Sequence, residues 1–365
     1  MTSAATEREP ESPAPAVNTQ RRSGSRYGVL LRYLGVRLLL IVPTAWILVT
    51  VVFFLMRVVG DPISAALGGR LPPDQIAERK RAAGFDRPIL TQYWDYISGL
   101  VRGDFGRSQD NRAISDIITS YGAATLELVV WALIVAFLVG IPLGRLAAKR
   151  RDKASDVGLR LFAILVYAAP VFFVGLLLKL VFAVELGWLP VAGRASTNVE
   201  LALQNVSPKT NILFIDAILY GDSGYLLDVV KHAILPAIAL GLLTAGIFLR
   251  LVRINLIQTL RSDFVDAARA RGLSDRVVTG RHAFRNAMIP IVTVMGMQIA
   301  MMLGGAVLTE ITFEWKGLGY QLAQYLQARD FVAVQGIVAF LALVVAVMSF
   351  LVDVVVALID PRVRF

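Results

Sequence analysis

Six long apolar blocks, separated by charged segments, dominate the sequence. Each block reaches the roughly 20 residues that a helix needs to cross the hydrocarbon of a bilayer. Barrel strands would alternate apolar and polar residues, whereas these blocks are continuous. The pattern therefore predicts an all-α integral membrane protein with six transmembrane helices. The predicted helices lie at about 35–59, 124–148, 159–184, 233–252, 287–309 and 331–359.

The polar segments between these blocks divide the chain into parts. The N-terminal segment mixes Pro, Ser, Glu and Arg without apolar periodicity, a composition typical of disorder. The apolar run that follows is longer than a signal-peptide core, so we expect it to remain as a helix. The predicted parts are a disordered cytoplasmic tail at 1–32, a first transmembrane helix at 33–59, an extracytoplasmic helical loop at 60–123 and a five-helix core at 124–365.

The predicted outer loop contains an amphipathic segment. From Ile89 to Val101, apolar residues recur on a helical period around Tyr93, Trp94 and Tyr96. Aromatic side chains of this kind suit the headgroup level of a bilayer. We interpret the segment as a helix lying on the membrane surface, with docking of an external partner as the alternative.

The distribution of basic residues predicts the orientation. The two ends of the chain and the segments at 145–160 and 250–286 carry 21 Lys and Arg, whereas the three intervening segments carry 13. Cytoplasmic segments are enriched in Lys and Arg, so both termini are predicted to be cytoplasmic. The net charge of +10 thus reflects membrane topology and does not require a nucleic-acid partner.

The residue content of the chain excludes several kinds of functional site. The chain has no cysteine, which excludes disulfides, thiolate metal sites and thiol nucleophiles. Its two histidines, His232 and His282, are predicted to lie on opposite sides of the membrane. No Gly-Lys pair occurs, so the chain lacks the phosphate loop that binds ATP. We therefore predict no catalytic residues, no metal site and no cofactor bound by this chain.

The basic loop at 250–286, with its eight arginines, has a distinct internal pattern. Ser262 is a candidate N-cap, the residues after it favour a helix, and Gly272 can adopt the left-handed conformation that ends one. The pair Ala267-Ala268 leaves one face of this helix nearly bare, so another protein could approach its backbone. The alternative is a solvated basic connector between two membrane helices.

At this point the sequence resembles a known family over most of its length. The Asp266-Ala-Ala triplet followed by Gly272 is similar to the EAA motif of ATP-binding-cassette (ABC) importer permeases. Further motifs resemble the first permease subunit of dipeptide and oligopeptide importers. They are Gly60-Asp-Pro62, Gly84-Phe-Asp-Arg-Pro88, Gly103-Asp-Phe-Gly106, Thr125-Leu-Glu-Leu128, Leu186-Gly-Trp-Leu-Pro190, His232-Ala-Ile-Leu-Pro236 and Asp360-Pro-Arg362.

The resemblance implies a type I ABC importer permease fold in the cell membrane. It implies as partners a second homologous permease subunit, two ATPase subunits or domains that bind ATP and Mg, an extracytoplasmic substrate-binding protein and the lipid bilayer. The EAA loop at 255–290 would contain the helix that couples to the ATPase. The implied coupling residues are Asp263, Asp266, Ala267, Ala268, Arg271, Gly272 and Leu273.

Two positions depart from the family pattern. Asp266 replaces the leading glutamate of the EAA motif, which preserves the charge and shortens the reach of the carboxylate. Lys316 follows Trp315 where the family often has proline. The first departure leaves the contact made by this carboxylate open, and neither changes the predicted fold.

The translocation pathway is less clearly marked. The fifth apolar block contains Met297, Gln298, Met301 and Met302 beside several glycines. Flexible thioethers next to small residues can line an adaptable passage for varied peptides. Small residues also simply pack helices together, and we favour helix packing over a lining role for this segment. Gln298 is the best polar candidate for the passage.

Three ionisable residues fall within or beside apolar blocks. We expect Lys179 to extend toward the outer headgroups, with a substrate-facing role as the alternative, and Glu127 to be solvated near an outer boundary. For Asp353, pairing with a basic residue and a role in transport are equally compatible with the sequence. A proton- or ion-coupled transporter would need a functional ionisable cluster inside the bundle, so it is a weaker alternative. Import of dipeptides or oligopeptides is the favoured function, and import of nickel or another small solute is its alternative.

Overall fold

The computed structural model describes residues 26–59, 64, 72–82 and 84–359, and these residues are predominantly helical. Five helices are long and apolar enough to cross a membrane, and a bent pair of helices makes a sixth candidate span. The predicted all-α membrane architecture is therefore confirmed. Most of the predicted tail and the motifs Gly60-Asp-Pro62 and Asp360-Pro-Arg362 lie outside the described residues.

The helices are numbered in chain order. They are α1 Arg26–Val59, α2 Pro73–Ala82, α3 Ile89–Val101, α4 Ile114–Lys149, α5 Ala154–Ala168, α6 Val171–Leu178, α7 Thr197–Leu203, α8 Leu213–Tyr220, α9 Ser223–Thr259, α10 Asp263–Ala270, α11 Asp275–Val277, α12 Phe284–Phe313, α13 Leu318–Gln327 and α14 Phe331–Ile359. Short π-helical stretches, Lys179–Glu185 and Val278–Ala283, follow α6 and join α11 to α12.

Several helices begin earlier than the apolar blocks indicate, and α1 and α4 are examples. Helix α1 begins at Arg26, so the last residues of the predicted tail are helical. Helix α4 begins at Ile114, well before the predicted start at 124. In both cases polar residues continue a helix beyond its apolar part, which hydropathy alone does not detect.

The third predicted span is not one straight helix. Helices α5 and α6 are bent by 104° at a short break. Ala169 at the break is extended, with φ −75° and ψ 131°, and Pro170 begins the next helix. A residue before proline is disfavoured in the helical conformation, and proline lacks the amide hydrogen that a continuous helix requires. The expectation of a continuous helix over 159–184 was therefore wrong.

The two longest helices, α4 and α9, pack closely at the centre of the bundle. A Cβ added at Gly140 would lie 2.7 Å from the carbonyl oxygen of Ala245, and one at Gly144 would lie 2.7 Å from Cβ of Val252. These two glycines, one helical turn apart, let the backbones approach in the way small residues do in membrane bundles.

The contacts between loops agree with the predicted topology. At one end, Nζ of Lys316 lies 3.2 Å from Oε2 of Glu200, and both belong to predicted outer segments. At the other, Arg253 binds the buried carboxylate of Asp156 with two hydrogen bonds of 2.6 and 2.7 Å, and both residues lie at the predicted cytoplasmic end. The outer and inner segments thus gather at opposite ends of the bundle.

Two of the ionisable residues within the spans have identified partners. Asp353 of α14 forms an ion pair with Arg37 of α1, at 3.4 Å, so a basic partner exists. Lys179 donates a hydrogen bond of 2.8 Å to the carbonyl oxygen of Thr312. That carbonyl lies in the last turn of α12, where a cation interacts favourably with the helix dipole.

Candidate functional site

Helix α10 forms as the sequence pattern predicts, between α9 and α12. Ser262 occupies the N-cap position with extended backbone, but its hydroxyl donates to the carbonyl oxygen of Thr259 at 2.5 Å instead of capping the helix. Gly272 has φ +79°, the left-handed conformation expected at the end of the helix. The amide of Leu273 closes the end by donating to the carbonyl oxygen of Ala268 at 3.4 Å.

Two side chains anchor α10 to the transmembrane bundle. Val265 and Ala268 are buried in one apolar cluster with Ala148 of α4 and Leu256 of α9. The same cluster includes residues at the entry to α12, namely Val278, Ala283 and Ala287. Burying a valine side chain stabilises this contact by roughly 1.5–3 kcal/mol. A displacement of α10 is therefore opposed unless the ends of three long helices follow it.

The opposite face of α10 is exposed, and its composition differs in part from the expectation. Ala268 faces the bundle, so the predicted bare surface comes from Ala267 and not from both alanines. Phe264 and Val277, which no sequence motif marks, are large apolar side chains left exposed in the same segment. The predicted coupling residues that are exposed are Asp263, Asp266, Ala267, Arg271, Gly272 and Leu273.

The carboxylate of Asp266 is only loosely held. Its Oδ1 atom lies 3.2 Å from Nη1 of Arg269, and its side chain is 69% exposed. Nε of Arg269 also lies 3.4 Å from Oδ1 of Asp275. Exposed ion pairs of this kind are weak because water competes with them. Asp266 can therefore exchange this partner for another one without a large loss of stability.

The candidate pathway residues on α12 separate into two faces. Met297 and Met301 are exposed and lie four residues apart, so they share one face with the exposed Gly304 and Leu308. Met302 is only 4% exposed and packs within the central apolar cluster, so its predicted place along the passage is wrong in this structure. Gln298 is partly buried beside the exposed face.

A network of buried charges lies at the outer end of α4. The carboxylate of Glu127 forms an ion pair with Arg194 and accepts the backbone amides of Leu213 and Phe214 at 3.2 and 2.9 Å. Arg194 also donates to the carbonyl oxygen of Asn211 at 3.0 Å. Glu127 is buried, so the expectation that it is solvated was wrong. Its carboxylate fixes the N-terminus of α8 to a transmembrane helix.

A second buried carboxylate lies at the end of α12. Glu310 accepts hydrogen bonds from the hydroxyl of Thr125 at 2.6 Å and from the amide of Tyr320 at 2.7 Å. The Thr125 hydroxyl in turn accepts the amide of Leu318 at 2.8 Å. Trp315 is fully buried, and its indole donates to the carbonyl oxygen of Ala124 at 2.8 Å. The outer network thus joins α4, α12 and the start of α13.

A third buried acid lies just outside the membrane-spanning part of α14. Asp330 accepts the amides of Gln109 and Ala333 at 2.7 and 3.1 Å, which fixes the loop before α4 to the start of α14. Burial raises the pKa of Asp330, and the bond from the Gln109 amide opposes this shift. The outer loops are therefore tied to the bundle at several separate points.

Comparisons with known proteins agree with the predicted family. Residues 140–365 match the family of binding-protein-dependent transport system inner membrane components, and residues 29–144 match its N-terminal component. A chain of the inward-facing MetNI methionine ABC transporter covers 67% of this chain and 98% of its own length. Its TM-score of 0.47 and identity of 14% make this likeness too weak to define the fold.

Full-length relatives are similar over nearly their whole chains. The di/tripeptide transport system permease protein DppB of Pseudomonas aeruginosa is 38% identical over 92% of this chain and 99% of its own length. The dipeptide permease DppB of Escherichia coli gives the same identity and the same two coverages. The glutathione permease GsiC of Escherichia coli is 32% identical over 92% of this chain and all of its own.

These matches extend from α1 to the C-terminus and include both α10 and the outer network. Membership implies a transport subunit, not an enzyme, and implies partners that supply ATPase activity and deliver substrate. It also confirms the predicted multi-pass location in the cell membrane. The chain belongs to the inner membrane components of binding-protein-dependent transport systems.

Proposed function

We propose that this chain is one of two pore subunits in an ATP-driven importer of dipeptides or oligopeptides. Two relatives that are 38% identical to this chain transport peptides, as their names state. The complex would contain a second homologous permease subunit, two ATPase subunits or domains, and an extracytoplasmic binding protein. ATP and Mg would bind to the ATPase chains and not to this one.

The observation that supports a coupling role is that α10 has one buried face and one exposed face. Its inner face is buried with the ends of α4 and α9 and the entry to α12. Its opposite, exposed face presents small, charged and apolar side chains within one short segment. An ATPase surface that moves this exposed face would move the transmembrane helices through Val265 and Ala268. Phe264 joins the coupling residues because exposed aromatic residues often dominate protein interfaces.

The exposed face of α12 is our candidate for the passage. Met297 and Met301 supply flexible apolar contacts, and Gln298 supplies hydrogen-bonding groups beside them. A surface of this composition tolerates side chains of different sizes, which suits a peptide carrier. Met302 contributes to the packing of the bundle instead.

The decisive experiment is reconstitution of the complete complex. The chain is purified with its partners, and ATP hydrolysis is measured with dipeptides, longer peptides, glutathione or nickel delivered by the binding protein. We expect stimulation by peptides. Stimulation only by nickel or another nonpeptide solute would contradict the peptide assignment, and uptake driven by an ion gradient without ATP would contradict the whole proposal.

A crosslinking experiment tests the coupling contact separately. Because the chain has no cysteine, Ala267→Cys gives a single reactive site. We expect it to crosslink to a cysteine placed on the facing surface of the ATPase. The control is Thr91→Cys, which lies on the outer loop and should form no such crosslink. Equal yields for both variants, or none for Ala267→Cys across the ATPase surface, would contradict the proposed contact.

A further inference from the structure

Helix α3 has three distinct faces. One face, with Tyr93 and Tyr96, packs on the ring of Phe53 in α1, at centroid distances of 5.3 and 5.5 Å. A second face, with Gln92 and Asp95, lines a polar cavity of about 390 Å³. A third face is apolar and consists of Leu90, Trp94, Ile97 and Val101, which are spaced as one stripe of a helix.

This third face is apolar, and three of its four side chains are strongly exposed, whereas Ile97 is partly buried. Leu90, Trp94 and Val101 are 76%, 70% and 84% exposed, respectively. Large apolar side chains in a contiguous stripe mark a surface that is covered by a partner or by lipid. The depth of α3 relative to the membrane decides between these two occupants.

The contacts of α3 place it below the membrane surface. The hydroxyl of Tyr93 lies 2.7 Å from the hydroxyl of Thr50 in α1. Thr50 is in the first membrane span, whose apolar part ends at Val58. At roughly 1.5 Å per residue, Thr50 is about 12 Å inside that end. Helix α3 is therefore packed against the outer half of the span.

The apolar face of α3 also continues the lipid-facing surface of α1. Phe54 is exposed, and its ring stacks on Tyr93 with centroids 5.9 Å apart. Val51, Leu55 and Val58 of the same span are exposed as well. The stripe on α3 and the outer surface of α1 thus adjoin each other through the Phe54–Tyr93 contact.

We propose that α3 is embedded in the outer leaflet, with Leu90, Trp94, Ile97 and Val101 against the acyl chains of phospholipids. The stripe lies next to the face that packs on α1, whereas Gln92 and Asp95 lie on the other side of the helix and line the cavity together with Arg57 and Gln335. This geometry is typical of an amphipathic helix that lies along a bilayer. It places the helix deeper than the headgroup level expected from sequence.

Site-directed spin labelling tests this placement, because the chain has no cysteine to remove. Trp94→Cys and Val101→Cys are labelled with a nitroxide in the complete transporter, reconstituted in phosphatidylcholine and phosphatidylglycerol vesicles. Collision rates with oxygen, which concentrates in the acyl region, and with a water-soluble nickel chelate are then compared. Thr91→Cys, on the neighbouring exposed polar face, is the matched control. Each labelled complex is first required to retain wild-type ATPase activity.

We expect labels at 94 and 101 to collide severalfold more with oxygen than with the nickel chelate, and the label at 91 to show the reverse preference. Preference for the nickel chelate at 94 and 101 would overturn the proposal, because the stripe would then face water. Protection from both reagents would also overturn it, since a protein partner would then cover the stripe. Adding or omitting the binding protein identifies that partner.

Discussion

The network at the outer end of the bundle and helix α10 at the cytoplasmic end handle charge in opposite ways. At the outer end, Glu127 and Glu310 are buried, and their carboxylates are surrounded by backbone amides, a hydroxyl and an arginine. At the cytoplasmic end, Asp263 and Asp266 of α10 are exposed, and Asp266 has only a weak ion pair with Arg269. The outer charges join parts of one chain, as does the buried Asp156–Arg253 pair at the cytoplasmic end, whereas the charges of α10 remain accessible to another protein.

This difference suggests a division of roles along the membrane normal. Buried charges held by several hydrogen bonds resist rearrangement because removing one partner leaves the other unsatisfied in a medium of low dielectric constant. Exposed charges on a helix anchored by Val265 and Ala268 can change partners while the helix stays attached. The outer network is therefore expected to act as a stable frame, and α10 as the part that responds to the ATPase.

The largest expected effect comes from opening the outer network. Glu127→Ala leaves Arg194 buried without its carboxylate and leaves the amides of Leu213 and Phe214 unbonded. We expect the free energy of unfolding in detergent to fall by about 3–5 kcal/mol. Glu185→Ala removes an exposed acid and is the control. Equal stability of the two variants would show that the network does not support the frame.

A smaller loss of stability is expected when α4 and α9 are forced apart at the centre of the bundle. In Gly144→Ala the new Cβ would lie 2.7 Å from Cβ of Val252 and 2.8 Å from the carbonyl oxygen of Leu249. The helices must separate, and we expect destabilisation of about 1–3 kcal/mol, measured by thermal unfolding. Gly122→Ala in the same helix has no heavy atom within 4 Å of its Cβ and serves as the control. A loss of equal size at Gly122 would refute the packing explanation.

The turn after α10 should affect coupling more than stability. Gly272 has φ +79°, and a Cβ there would meet nothing within 4 Å, so conformation alone disfavours a side chain. A β-branched residue in this region is strained by about 1–2 kcal/mol. We expect Gly272→Val to insert normally but to lose substrate-stimulated ATPase activity in the reconstituted complex.

Gly272→Asn is the matched variant for this prediction. Asparagine tolerates the left-handed region better than valine, so we expect it to retain most of the stimulation. If both variants lost stimulation equally, the need for a small residue at the ATPase surface, and not the turn conformation, would explain the result.

The smallest effect on stability is expected at Asp266. Because its ion pair with Arg269 is largely exposed, Asp266→Ala should change the free energy of unfolding by less than about 1 kcal/mol. The same change should weaken association with the ATPase, measured by co-purification at increasing salt. Asp275→Ala, which removes the other carboxylate near Arg269, is the control. Loss of association in both variants alike would assign the effect to Arg269.

The sequence was most informative where local rules determine structure. The helix from Asp263 and its left-handed end at Gly272 follow from cap and glycine preferences, and the apolar blocks follow from hydropathy. The break at Pro170 does not follow from the presence of a proline alone, because Pro142 and Pro236 lie inside continuous helices. Whether a proline bends or breaks a helix depends on packing that a single sequence does not contain.

The outer network was missed for a different reason. Glu127, Arg194 and Glu310 are far apart in sequence, and each alone resembles an ordinary polar residue at a membrane boundary. Two short segments of the sequence supply members of this network. Thr125-Leu-Glu-Leu128 contains Glu127, and after Trp315 the amide of Tyr320 binds Glu310 while the amide of Leu318 binds Thr125. Their proximity arises only when α4 and α12 pack together. Ala268 was misplaced in the same way, because which alanine of the pair faces inward depends on the position of α10.

The bend between α5 and α6 has a consequence for what surrounds the chain. The last carbonyls of α5 and the first amides of α6 have no partners within their own helices. Hydrocarbon does not satisfy such groups, and irregular backbone at this depth persists only beside protein or a water-filled cavity. Yet Leu165, Tyr167 and Phe173 near the bend are exposed in the isolated chain. The backbone groups at this bend therefore require hydrogen-bond partners from a neighbouring polypeptide or from enclosed water.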